Sequence, residues 1–330
     1  MSQAPVTLFV EDLESLAAAL PPEQRLSALE SILARGKFSQ APADSANHVR
    51  FQLLGIETND PPPVAALCRI ADRGPGQAGG NYWLRADPVT LRADMSRVFM
   101  TSCGFADLDQ AERHEVTKLA RETLGREGIS LEESRAGHWL IPLDAPLAFD
   151  FVPLYQALGR DLADVLPEEP SASRWKKIMT DFQVELHQSG LNGRRREQGK
   201  QEINSLWFWG GGSAPAVGPL PFPALVSDDP VSRGLALLAG VPVREDVDFS
   251  TLSEPLLVDC LMHTGDARRE ACGLEGRVRQ LLGSPAAKKH GFRLVSGGGR
   301  RWDVSTFDRA RFWKKRRPLS ETFPARGAHG

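Results

Sequence analysis

The sequence predicts an α/β protein, a sheet covered by helices, on three observations. Short apolar runs alternate with amphipathic stretches of helical spacing in the first quarter and the last third of the chain. Between them stands a block of extended segments around one long periodic helix, about Asp109 to Arg126. The 330 residues, 41% hydrophobic and 25% charged, suffice for a large core in one large or two modest domains.

The elements follow in order. Val6 to Val10 is an apolar run closed by Glu11 and Asp12, and helical patterns cover Leu13 to Leu20 and Pro22 to Arg35 before a loop from Lys37 to Asn47. Asp60 to Pro63 and Gly74 to Gly80 are breakers around a short helix or strand, Val64 to Ala71. Tyr82 to Leu84, Val89 to Leu91 and Arg97 to Thr101 read as a β-hairpin with its turn at Ala93 to Ser96. A helix spans Asp109 to Arg126, stopped by Gly128, and strands follow at Ile129 to Leu131 and His138 to Leu143. A helix capped by Ser171 or Ser173 runs to His187, a polar loop spans Ser189 to Glu202, and Ile203 to Trp209 is an apolar strand. Prolines 215, 219, 221 and 223 mark a linker. Helices near Val231 to Ala239 and from Asp266 to Leu282, the apolar run Pro255 to Leu261, and strands at Phe292 to Ser296 and Trp302 to Ser305 complete the chain.

Forty basic and 42 acidic residues leave a net charge of -2, so any electrostatic preference is local. Cys68, Cys103, Cys260 and Cys272 form no C-x-x-C pair, which argues against a zinc site or a disulfide framework and fits a reducing compartment. The first residues lack a basic stretch followed by a long apolar one, and no run reaches the roughly 18 apolar residues of a membrane span. The reading is a cytoplasmic protein without membrane association.

Four constellations can carry chemistry. The first is H-x4-N-x2-R-x3-G-x4-N-x5-G-G-G, held by His187, Asn192, Arg195, Gly199, Asn204, Gly210, Gly211 and Gly212. Guanidinium forks match phosphate oxygens, and glycines let backbone N–H groups approach an anion. The run is neither a Walker loop nor a dinucleotide fingerprint, and it reads equally as a structural turn packed by Trp207 and Trp209. The second is Arg85 and Asp87, two apart on one strand and so on one side, either a ligand contact or, in preference, a structural ion pair. The third is His138, a proton carrier or simply a hydrogen-bonded histidine. The fourth is Lys288 to Arg317, with eleven basic residues against Asp303 and Asp308 and with Trp302, Phe307, Phe312 and Trp313 interleaved. That segment suits nucleic acid or another phosphate-bearing partner, or else forms a solvated face packed by its aromatics.

The order of W-L-R-A-D-P-V (83–89), the hairpin and helix, the H-x4-N-x2-R-x3-G loop and I-N-S-L-W-F-W-G-G-G (203–212) resembles the RpfE-type bacterial regulatory family, often labelled cofactor-independent phosphoglycerate mutase, over about residues 60 to 240. It is similar more weakly to the archaeal-type cofactor-independent phosphoglycerate mutases. That resemblance implies an alkaline-phosphatase-like mixed sheet flanked by helices, residues 1–80 plus 226–330, with an inserted α+β subdomain, residues 81–225. It also implies a two-metal cluster of Asp and His ligands and a phosphoryl-accepting serine. Here Glu11 and Asp12 stand where the family has Asp-Gly, and His263 with Asp266 is the sole later hint of ligands. The leading expectation is therefore a non-catalytic regulatory protein without a cofactor. It binds a phosphorylated or other anionic small molecule through Arg85, Asp87, His187, Asn192, Arg195, Asn204 and Gly210 to Gly212, with room for a protein partner. The alternatives are a phosphoglycerate mutase or related phosphotransferase using Mn²⁺, Mg²⁺ or Zn²⁺, and a nucleic-acid-binding protein using Lys288 to Arg317.

Overall fold

The computed structural model describes residues 4–56, 61–77, 82–104, 108–245, 247–260, 266–309, 311 and 313–323. Its strands are β1 (Val6–Val10), β2 (Lys37–Gln40), β3 (Tyr82–Asp94), β4 (Arg97–Cys103), β5 (Glu132–Glu133), β6 (Trp139–Leu143), β7 (Ser205–Gly212), β8 (Leu225–Ser227), β9 (Leu257–Cys260), β10 (Phe292–Ser296) and β11 (Arg300–Val304). The helices used below are α1 (Leu13–Ala19), α2 (Ser27–Arg35), α3 (Ala46–Leu53), α4 (Val64–Arg73), α5 (Gln110–Arg126), α6 (Leu154–Ala157), α7 (Ser173–Gln188), α8 (Leu191–Glu197), α9 (Pro230–Leu238), α10 (Ala267–Gly283) and α11 (Pro285–His290).

The chain divides into two compact units, Met1–Thr58 with Ala216–Gly330, and Asn59–Pro215. The seams expected at 80/81 and 225/226 lie instead at 58/59 and 215/216. The first moves because α4 belongs with β3 and β7, its Val64 lying directly against Gly210. The second moves because Phe222 and Ala224 are buried in the first unit.

In the first unit a six-stranded sheet runs β2-β11-β10-β1-β9-β8. Strands β10, β1, β9 and β8 pair in parallel; β11 runs antiparallel between β10 and the edge strand β2. All five residues of β1 are buried, as expected of a central parallel strand covered on both faces. Val6, Leu8, Val10 and Leu294 point into one core with Leu13 and Leu16 of α1, Leu29 and Ile32 of α2, and Leu274, Val278 and Leu281 of α10. On the other face the Arg50 guanidinium of α3 stacks 5.0 Å from the centroid of Phe9. Two expectations change here. The 37–47 loop contains β2, a wholly exposed edge strand that only its pairing with β11 creates. Helix α2 begins at Ser27, not Pro22, because the Glu30 carboxylate accepts the Leu26 N–H and Arg25, fixing the chain before the first turn.

In the second unit β3 is one 13-residue strand where separate short runs were expected. It pairs antiparallel with β4, β6 and β7, turning into β4 through Met95 at φ 51°. Helix α5 starts at a capping box, Asp109 with Glu112, and α7 packs on α5 and β7. The strand expected at 129–131 is replaced by the two-residue β5. The polar loop expected from Ser189 to Glu202 contains α8, entered through Gly190 at φ 72°.

Candidate functional site

The carboxyl ends of parallel strands are where open α/β sheets gather functional side chains, because the chain leaves the sheet there and backbone polar groups become available. In this protein Glu11 follows β1, Asp229 follows β8, and Asp259 lies in β9. They converge on one cation, the guanidinium of Arg50, whose side chain is only 2% exposed. Arg50 Nη2 donates to Glu11 Oε2 at 2.6 Å, Nε donates to Asp259 Oδ2 at 2.9 Å, and Nη1 donates to Asn47 Oδ1 at 3.0 Å. Asp229 Oδ1 lies 3.3 Å from Nε. Ser232 Oγ and Ser227 Oγ donate to Asp259 Oδ2 at 2.6 and 3.2 Å, and the Ser232 N–H donates to Asp229 Oδ1 at 2.9 Å, capping α9.

The electrostatics follow from burial. Burial opposes the charged guanidinium, but Asp259, Asp229 and Glu11 outweigh it, so the pKa of Arg50 rises above its ordinary value. Burial pushes the Asp229 carboxyl up to about 6; Arg50 opposes the rise and Asp259 adds to it.

The mutase resemblance implies divalent metals, and these residues do not fit them. A divalent cation needs its oxygen ligands converging at about 2.0–2.6 Å on one point. Here that point is taken by a buried guanidinium whose donors are matched to the same oxygens. Among the described residues no group of three or more His, Cys, Asp or Glu side chains is arranged to hold a metal. Of the sequence candidates, Glu11 joins the cluster. Asp12 is exposed at the head of α1, and Asp266 caps α10 by accepting the Arg268 and Arg269 N–H groups. His263 lies outside the described residues.

The H-x4-N…G-G-G run is built into the second unit as scaffolding, a correction to its reading as a flexible anion loop. Asn192 clips Ile203 by two bonds, Nδ2 to the Ile203 carbonyl at 2.6 Å and the Ile203 N–H to Oδ1 at 3.0 Å. Asn204 clips Leu91 the same way, both bonds 2.7 Å. Arg195, 1% exposed, donates to Glu112 Oε2 at 2.8 Å and to the Gln201 carbonyl at 2.7 Å; it also borders a cleft of about 260 Å³ with Thr90, Ser102 and Cys103. Arg194 and Arg196 pair with Glu115 and Glu202, each at 2.5 Å. Gly210, Gly211 and Gly212 are not a turn but the end of β7. A Cβ on Gly211 would meet the Tyr82 hydroxyl at 2.4 Å, and one on Gly212 would meet Pro63 at 2.4 Å. His187 is exposed near the end of α7, away from these clips.

Arg85 and Asp87 form a two-pronged ion pair, 2.8 and 3.0 Å, with Trp209 Nε1 donating to Asp87 Oδ2 at 2.6 Å and the Arg85 guanidinium over the Trp209 ring. His138 is pushed down to about 4, chiefly by burial and by the Arg85 charge. In the basic segment, Arg293 and Arg301 share Asp303, Arg311 pairs with Asp308, and Trp302 belongs to the core rather than to an exposed stacking surface. Phe307 and Trp313 are exposed. Among the described residues no helix is long and apolar enough to cross a membrane.

Sequence reasoning missed Arg50, Asp229 and Asp259. One signal was available: Asp259 interrupts the apolar run Pro255 to Leu261, and a carboxylate in a buried parallel strand requires a partner.

These units define a mixed α/β protein with sheets flanked by helices, consistent with the alkaline-phosphatase-like fold of the mutases. A solved structure, the PH0037 protein from Pyrococcus horikoshii, superposes with a TM-score of 0.51 at 12% identity, over 97% of this chain and 93% of that one. By sequence, the chain has weak homology to cofactor-independent phosphoglycerate mutases. It is 27% identical over 232 residues to the 2,3-bisphosphoglycerate-independent phosphoglycerate mutase of Methanosarcina barkeri, 66% of this chain and 57% of that protein. It is 24% identical over 165 residues to the "Probable 2,3-bisphosphoglycerate-independent phosphoglycerate mutase" of Geobacter sulfurreducens, 48% of this chain and 41% of that protein. The chain therefore spans about half the length of the curated relatives it matches. No family model matches it.

Proposed function

We propose that this chain is a non-catalytic descendant of the phosphoglycerate mutases that acts by binding a phosphorylated or other anionic small molecule, in a regulatory role like that of the RpfE-type proteins its motifs resemble. One observation carries the non-catalytic part: Arg50 fills the carboxylate cluster at the strand ends. Metal-assisted phosphoryl transfer needs cations with open coordination positions on the attacking and leaving oxygens. A guanidinium neutralises carboxylates but has no empty orbital to offer an oxygen, so the cluster is a structural ion network. The named activities of the matched relatives supply the ligand class, small phosphorylated acids.

The test is direct. Purified protein supplied with Mn²⁺, Mg²⁺ or Zn²⁺ leaves 2- and 3-phosphoglycerate unconverted. Interconversion that disappears on chelation overturns the reading.

A further inference from the structure

In the first unit, strand alternation brings Arg293 and Val295 of β10, Arg301 and Asp303 of β11 and Ser39 of β2 to one face of the sheet, opposite the core that takes Leu294 and Trp302. Residues Val49, Gln52 and Leu53, one face of α3, lie across them, and Phe222 closes the side. Between sheet and helix is a cavity of about 510 Å³, within the range of small-molecule sites.

Its charge is unbalanced. Arg293 Nε donates to Asp303 Oδ1 and Arg301 Nε to Asp303 Oδ2, both at 2.7 Å, so two guanidiniums share one carboxylate. Among the described residues neither guanidinium makes another hydrogen bond or ion pair, which leaves the terminal Nη groups of both available to a ligand. Among the described residues no other charged side chain lines the cavity. Burial holds the pKa of Arg293 below its ordinary value despite Asp303, the condition of a guanidinium short of negative charge. The remaining wall is apolar or uncharged polar: Val49, Leu53, Phe222 and Val295 beside Ser39, Gln40 and Gln52.

We propose that this cavity is a binding site for a small organic oxyanion, a carboxylate or phosphate ester, held by the Nη edges of Arg293 and Arg301 with its carbon skeleton against Val49, Leu53 and Phe222. The proposal rests on the reading that the chain acts by binding, and it names a site that the sequence motifs did not. A guanidinium offers N–H donors in a planar fork that matches an oxyanion bidentately, which is why arginine outperforms lysine in such a site.

Isothermal titration of the full chain with 3-phosphoglycerate, D-glycerate and inorganic phosphate tests it. At least one probe binds; glycerate binding marks carboxylate recognition, and binding of the phosphate probes alone marks phosphate recognition. Arg293→Gln and Arg301→Gln each weaken the bound probe at least about tenfold, the loss of one charge-assisted contact, while Lys118→Gln, an equal charge change at an exposed position of α5, leaves affinity unchanged. Arg301 is the more exposed of the pair, so Arg301→Glu, with its melting temperature recorded, serves if Arg293→Gln does not fold. Binding that survives Arg301→Gln and Arg301→Glu, or no binding by any probe at millimolar concentration, overturns the site. Turnover of phosphoglycerate would defeat the non-catalytic reading without touching this one.

Discussion

Arg50 Nε lies 2.9 Å from Asp259 Oδ2, joining residues 209 positions apart in the interior of the first unit. The contact links α3 to β9, and with Glu11 and Asp229 it gathers the ends of three neighbouring strands on one cation.

Removing that cation leaves the buried Asp229 and Asp259 facing each other and the partly exposed Glu11 with no positive charge between them. Arg50→Met is expected to destabilise the protein by about 3–5 kcal/mol, the usual effect of breaking a buried pair from one side. Urea denaturation measures it. Arg50→Met combined with Asp259→Asn should cost less than the two single changes added, because each single change strands the other partner.

Chelation gives a contrasting result. The cluster's cation is a side chain of the protein itself, so EDTA is expected to leave the melting temperature of the purified protein unchanged. Differential scanning calorimetry with and without chelator checks this. A fall of several degrees would mean that a bound metal contributes to folding.

Two buried groups bend the pH profile in opposite directions. Asp229 titrates near about 6 in the folded chain against 3.8 for the free side chain, so the folded state holds the extra proton between these values. Its contribution is present below pH about 4 and is lost as pH rises through about 6. His138, with a folded pKa of about 4 against 6.5, contributes above pH 6.5 and loses that contribution as pH falls through about 4. In the shared window Asp229→Asn should therefore make stability rise more steeply with pH, and His138→Gln should flatten or reverse the rise. Denaturation midpoints at pH 4, 5, 6 and 7 separate the two.

The glycine and asparagine motif should report on stability. Gly211→Ala forces a Cβ toward the Tyr82 hydroxyl at 2.4 Å and is expected to cost about 1–3 kcal/mol as overpacking. Asn204→Ala removes both bonds to Leu91 and leaves that backbone unsatisfied, about 1–3 kcal/mol. Denaturant titration measures both, and unchanged affinity for any ligand that the wild type binds completes the expectation.

The sequence by itself determined the elements whose signal is local. The apolar run Val6–Val10, the capped and periodic α5, and the alternation of β9, α10 and β10 needed only neighbouring residues to be read. It also carried the mutase-like order of motifs. Tertiary structure alone decided what depends on residues far apart in sequence. Strand β2 exists because β11 has an open edge, and α8 forms where polar residues suggested a loop because Asn192 and Arg195 find buried partners. Most consequentially, the role of Glu11 turned on Arg50, a residue with no motif around it. A carboxylate at a strand end reads the same in one dimension whether a metal or a guanidinium answers it. Only the fold brings the answering charge into place.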